Sequence, residues 1–159
     1  MKLLIGAVGR LKDDAERLLA ERYLERASAI GRAVALAPVE IREIREGRAR
    51  DSTGRRQDEA ERLLAVASGG AMVALDERGR GMTSAEFAAL IVRMRDGGES
   101  ALTFLIGGPD GHGPAVLAKA RTTLALGPMT LPHGLARVVL IEQIYRAITI
   151  VTGHPYHRA

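Results

Sequence analysis

Apolar and polar positions alternate along the chain in short blocks whose periods switch between strand-like and helix-like. Lys2 to Val8 is an almost unbroken apolar run ending at Gly9, the pattern of a short buried strand. Residues 12 to 29 follow with helical spacing, and Ala15, Leu18, Leu19, Arg22 and Tyr23 share one face. Ala33 to Ile41 reads as a second strand, weakened by Pro38, which cannot donate to a ladder. Arg42 to Arg56 is charged and carries Gly47, Ser52, Thr53 and Gly54, so it reads as a loop or a loosely packed helix start. Gln57 to Ser68 reads as helix, closed by Gly69-Gly70. Ala71 to Leu75 is a buried-type strand closed by Asp76, and Glu77 to Gly81 reads as a polar turn.

Thr83 is a good helix N-cap with Glu86 at the capping-box position, and Phe87, Leu90, Ile91 and Met94 continue on one face until Gly97-Gly98. Ala101 to Ile106 is the next strand, Ala115 to Arg121 a short helix, and Leu124 to Leu131 a loop. Residues 136 to 151 form the longest apolar helix, apolar on two adjoining sides, which calls for burial on both; a partner subunit is one candidate for the second side. Strands alternating with helices imply an α/β layer with a mostly parallel sheet, in which ligands bind beyond the carboxyl ends of the strands. Asp76 and Gly107 both fall at such ends.

At 159 residues one domain, 1–159, is the expectation. Hydrophobic residues make up 47% and aromatics only 3%, so the core must be aliphatic. Without cysteine there is no disulfide scaffold, thiolate nucleophile or cysteine zinc site. The net charge is +4, and all but Lys2, Lys12 and Lys119 of the 23 basic residues are arginine, the side chain suited to bidentate phosphate contact. A solvated basic surface is the plainer explanation of so modest a charge. No apolar run is long enough to cross a membrane and no signal peptide is visible, so a cytoplasmic protein without a membrane partner is expected.

Two loops and the tail carry the candidate chemistry. Gly107-Gly108-Pro109-Asp110-Gly111-His112-Gly113 holds four glycines in seven positions directly after a buried strand, allowing a ligand close approach to the main chain. Neither GxGxxG after the first strand nor GxxxxGK[ST] is present, which counts against a nucleotide hydrolase. The segment Leu124 to Leu131, with Gly127-Pro128, is either a buried connection or a loop that wraps an apolar ligand. His133, His154 and His157 match no metal-ligand spacing, and no metal is expected. The ending His154-Pro155-Tyr156-His157-Arg158 is either a frayed polar end or an ordered site element. In the second case Tyr156 stacks on a base, His157 moves a proton and Arg158 holds an anion.

These residues make the chain recognisable. LIGGPDG at 105–111, TLPHGLARVVLIEQIYRA at 130–147 and HPYHR at 154–158, together with the opening KLLIGAVG, closely resemble the RlmH family over essentially the full length. That family comprises the bacterial large-subunit ribosomal RNA pseudouridine methyltransferases of the SPOUT superfamily. The resemblance implies a deep trefoil knot in the C-terminal part, about residues 71–159, and a homodimer. It implies S-adenosylmethionine as cofactor, held by Leu75, Gly107, Gly108, Leu126, Gly127, Pro128, Met129, Thr130 and Leu131. The implied reaction is methyl transfer to N3 of pseudouridine 1915 of 23S rRNA in the assembled 70S ribosome, with His157, Arg158 and Tyr156 as catalytic candidates and Arg137 and His133 as further pocket residues. DNA is not an implied partner. Two positions depart from the family pattern: Asp110 stands where the loop commonly has glutamate, and Gly134 where some relatives have proline. The alternatives are a knotted methyltransferase for another rRNA or tRNA base, and a non-catalytic basic RNA-binding ribosome-assembly protein.

Overall fold

The computed structural model describes residues 1–67 and 69–157. Five short strands, β1 (Lys2–Val8), β2 (Val39–Ile44), β3 (Ala71–Gly81), β4 (Ala101–Ile106) and β5 (Thr122–Ala125), form one sheet in the order β2-β1-β4-β3-β5. Every neighbouring pair is parallel, with Gly6 opposite both Arg42 and Leu105, and Leu75 opposite both Ile106 and Leu124. The carboxyl ends of all five strands therefore lie along one edge of the sheet.

Both faces are covered, which is why the strands are apolar on both sides. Leu3, Ile5, Val73, Leu102 and Phe104 face a layer of α1 (Asp14–Gly31), α3 (Ser84–Asp96) and α5 (His133–Thr152). Val8, Ala74 and Leu105 face α2 (Ser52–Val66) and α4 (Pro114–Lys119). Helix α5 lies between α1 and α3 and buries Leu140, Ile141, Ile144 and Ile148 completely. Much of the second apolar side of this helix is thus covered within the chain, while Val151 stays partly exposed. No helix among the described residues is long and apolar enough to cross a membrane.

The local signals act as their chemistry dictates. Thr83 and Glu86 form a reciprocal capping box at the start of α3. The Asp13 side chain accepts from Glu16 N–H, and that of Asp51 from Gly54 N–H, capping α1 and α2. Five expectations are corrected. The strand expected over 33–41 begins only after Pro38 and runs to Ile44, while Arg32–Val34 is a 3-10 turn.

Helix α2 starts at Ser52, so the segment expected to be loop or helix start is divided among β2, a loop at 45–50 and α2. The expected polar turn at 77–81 is a continuation of β3, resumed after a bulge between Leu75 and Arg80, and it pairs with β5. Gly79 fits there because a Cβ would come within 2.7 Å of the Leu124 main chain. Strand β5 was not expected, its last two residues falling in the segment read as loop; at four residues it is too short to show a period. Finally, α1 buries Ala20, Ala27 and Gly31 and leaves Leu18 and Leu19 exposed. Small residues let α1 lie close along α5, so the larger leucines do not mark its buried face.

Candidate active site

Beyond β4 the chain turns sharply: Gly111 N–H donates to the Gly108 carbonyl at 2.9 Å, and Gly111 adopts φ 79°. That left-handed angle suits glycine. Gly108 is required for another reason, because a Cβ there would stand 2.6 Å from Glu59 Oε2. Glu59 is a buried carboxylate on α2 whose other oxygen accepts from Gly47 N–H at 2.8 Å. One turn earlier on α2, Arg55 grips Asp110 with a fork: Nε to Oδ2 at 2.7 Å and Nη2 to Oδ1 at 3.2 Å. Arg55 holds the Asp110 carboxyl below the usual carboxylate range, and Asp110 in turn raises the Arg55 guanidinium. Asp110 supports this loop despite its shorter side chain, because Arg55 reaches it.

The glycine loop is one wall of a cavity of about 450 Å³. The bulge of β3 (Asp76, Glu77, Arg78) forms a second wall, and Leu124, Leu126, Gly127, Met129, Thr130 and Leu131 a third. His133 and Ala136 at the start of α5, with Arg56 of α2, complete it. Its size suits a small-molecule ligand. Leu75, Ile106 and Leu124 give it an apolar floor at the strand ends, and glycine main chain supplies donors and acceptors.

His112 closes the loop against the core. Its Nε2 lies 3.1 Å from the Leu105 carbonyl, while Nδ1 is buried without a hydrogen-bond partner among the described residues. Burial pushes the His112 pKa down, favouring the neutral ring, so Nε2–H donates to Leu105 and Nδ1 remains an acceptor.

Leu75, Gly107, Gly108, Leu126, Gly127, Met129, Thr130 and Leu131 are brought together on this one cavity; Pro128 lies on the same turn but is not part of the wall. His133 lines the cavity as well. Arg137 does not, being buried and donating to Glu43 and to the Val8 carbonyl. The tail folds elsewhere. Tyr156 donates to Glu142 Oε1 at 2.9 Å, lies 3.3 Å from the Tyr23 hydroxyl, and packs its ring 4.6 Å from that of Tyr145. The Arg146 guanidinium sits 4.9 Å from the Tyr156 ring centre.

Burial, then the hydrogen bonds to Tyr23 and Glu142, push the Tyr156 pKa well up, so this phenol stays protonated. His157 donates its main-chain N–H to the His154 carbonyl at 3.4 Å. Neither Tyr156 nor His157 lines the cavity of its own chain, and Arg158 lies outside the described residues. Arg56, Asp76, Arg78 and His112 are cavity residues that sequence reasoning did not select. Only His112, inside the glycine-rich run, and Asp76, at a strand end, carried a signal for it. Among the described residues no group of three or more His, Cys, Asp or Glu stands ready to hold a metal ion.

Sheet and cavity together define a parallel α/β protein that binds a small molecule beyond the carboxyl ends of its central strands. Known proteins narrow the class. Residues 1–157 match the family described as a predicted SPOUT methyltransferase. The chain is 50% identical over 160 residues to a ribosomal RNA large subunit methyltransferase H of Rhodopseudomonas palustris (strain HaA2), covering all of both chains. It is 49% identical over 160 residues to the protein of that name from Xanthobacter autotrophicus, again over the whole of both. In fold it is similar to a probable methylase family protein of Haemophilus influenzae, with a TM-score of 0.51 at 11% identity, covering 99% of this chain and 70% of that one. The chain belongs to the SPOUT methyltransferases and, with these relatives, to their RlmH branch. It is an S-adenosylmethionine-dependent methyltransferase.

Proposed function

We propose that this enzyme methylates N3 of pseudouridine 1915 of 23S rRNA in the assembled 70S ribosome, acting in the cytoplasm as a homodimer. The observation that carries the reading is the cavity beyond β3, β4 and β5, on which eight of the nine residues expected to hold the cofactor converge. The relatives' name, ribosomal RNA large subunit methyltransferase H, supports the substrate class. The part from 71 to 159 is the proposed seat of the knot. After β5 the chain returns through 126–131 and lays α5 across the sheet between α1 and α3.

The cavity's chemistry fits the methyl donor. Leu75, Ile106, Leu124 and Leu126 offer apolar surface to a purine, and the main chain of Gly107, Gly108 and the 126–131 loop offers hydrogen bonds. Asp76 and Glu77 suit hydroxyl and ammonium groups, and Arg56 suits a carboxylate. S-adenosylmethionine, when bound, supplies an electrophilic methyl on a sulfonium that departs as a neutral thioether. The chain's own contribution is to hold the target base in line with that methyl and to accept the proton that N3 must lose.

In this reading His157 accepts or relays the proton, Tyr156 contacts the base, and Arg158 stabilises the anion or a phosphate. Tyr156 and His157 stand away from the cavity wall of their own chain, so these roles require the cavity of a second copy. The test is to incubate the protein with methyl-labelled S-adenosylmethionine and ribosomes lacking the modification, then map the label. Label at N3 of that pseudouridine is the expected result. Transfer to another base, or cofactor binding without transfer, overturns the substrate assignment; absence of cofactor binding overturns the cavity assignment.

A further inference from the structure

The arginine-rich segment between β2 and α2 has no task in the chemistry above and does not line the cavity, yet α2 ties it to the glycine loop that does. β2 is parallel to the other strands, so its carboxyl end opens on the same edge as Gly107. Its loop is pinned to the glycine loop from within. Arg55, while gripping Asp110, also donates Nη1 to the carbonyls of Ala49 and Arg50 at 3.2 and 2.9 Å. Glu59, packed against Gly108, accepts from Gly47 N–H. Arg62 Nη1 holds the Arg45 carbonyl at 2.9 Å. With the main chain drawn inward at these points, the side chains of Arg45, Arg48 and Arg50 are exposed.

Most nearby acids are engaged elsewhere. Glu43 takes Arg137 and Leu11 N–H, Asp51 caps α2 and Glu59 is buried, while the exposed Glu46 lies with its carboxylate toward Gly9 and forms no ion pair among the described residues. Among the described residues, Arg45, Arg48, Arg50 and Arg56 form no ion pair with a carboxylate, and Arg56 Nε is buried without a partner beside the cavity.

We propose that Arg45, Arg48 and Arg50 form a ledge that docks the phosphate backbone of the RNA strand carrying the target base, with Arg56 marking where the ledge meets the cavity. This rests on the rRNA methyltransferase reading and adds where the strand is held. A pinned main chain with free guanidinium forks suits phosphates, since planar bidentate donors match them and little main-chain freedom remains to be lost.

The test compares wild type with R45Q/R48Q/R50Q for binding to unmodified 70S ribosomes across a monovalent-salt titration at fixed magnesium. Loss of three phosphate contacts should weaken binding by about tenfold or more and lower the salt slope by about two. Cofactor binding by calorimetry and the thermal midpoint should remain those of wild type, and R45K/R48K/R50K should keep the slope. Unchanged ribosome affinity and slope in the glutamine variant overturn the ledge while leaving the methyltransferase reading intact. So does an equal loss in R22Q/R26Q/R32Q, on α1 and the 3-10 turn after it, which would make the effect one of net charge. Wild type that binds phosphatidylglycerol vesicles but neither binds nor methylates ribosomes overturns the underlying reading and the ledge with it.

Discussion

Arg137, 2% exposed on α5, donates Nη1 to Glu43 Oε1 at 2.6 Å and Nη2 to the Val8 carbonyl at 3.0 Å. One buried guanidinium thus ties the start of the last helix to the ends of β1 and β2. Burial lowers the Arg137 pKa and the nearby Glu43 opposes the shift, so the guanidinium stays charged. Replacing Arg137 with methionine leaves Glu43 and a strand-end carbonyl without their donor, and should cost about 3 kcal/mol by urea unfolding. Lysine in its place should recover only part, having no planar fork. A loss within about 0.5 kcal/mol, the scatter of an ordinary surface change, would show that the pair carries no net weight.

Gly108 tests the glycine loop from the other side. Alanine there would meet Glu59 Oε2 at 2.6 Å, and relief requires the loop to lift into the cavity or the carboxylate to give up Gly47. Gly108→Ala should weaken cofactor binding at least tenfold by calorimetry, with a folded far-ultraviolet spectrum. Adding Glu59→Ala should restore part of the lost affinity, because the obstructing oxygen is gone; failure of that rescue would exclude the contact as cause.

The Arg55–Asp110 fork joins α2 to the cavity rim. Asp110→Asn keeps the shape and removes the charge. Cofactor affinity should fall several-fold while the unfolding midpoint hardly moves, since the pair is partly exposed. Asp110→Glu, a longer acid, should retain most of the affinity. Equal affinities in all three proteins would contradict a supporting role for the fork.

His112 predicts an acid-side loss of stability. Its ring resists protonation when buried, whereas in the unfolded chain it titrates near 6.5. Below about that pH the unfolded state binds a proton that the folded state refuses, so this contribution is present at neutral pH and is lost as pH falls. The thermal midpoint should therefore drop between pH 7.5 and 5.5 by more in wild type than in His112→Asn. Parallel pH profiles would assign the acid sensitivity to other groups.

What could be read from the chain is what lies close together along it. The Thr83–Glu86 capping box, the apolar strands β1 and β4, and the two loops at 107–113 and 126–131 are contiguous signals. They place α3, the sheet and most of the cavity wall. What escaped depends on distant partners. Arg55 and Asp110 are 55 positions apart, and nothing local to either reveals the fork.

Glu77 to Gly81 is polar because it extends the strand past a bulge at the cavity, and its partner β5 is too short to show a period. The buried face of α1 is set by small residues fitting α5, a demand of packing that side-chain size alone points away from. The tail drew attention as polar and aromatic, but Tyr156 settles among Tyr23, Tyr145 and Glu142 because its ring finds aromatic contact and its hydroxyl finds a carboxylate.

The placement of β4 between β1 and β3 has a consequence for modularity. The cavity loops all belong to the later half of the chain, yet their supports, Arg55, Glu59 and the β1 edge of β4, come from the earlier half. A fragment cut before β3 would keep every loop that lines the cavity. It would also bare the main-chain donors and acceptors along β4, inviting association with any other free strand. The half that carries the cavity loops cannot be transplanted as a cassette; the two halves are a single inheritance, divisible in sequence but not in sheet.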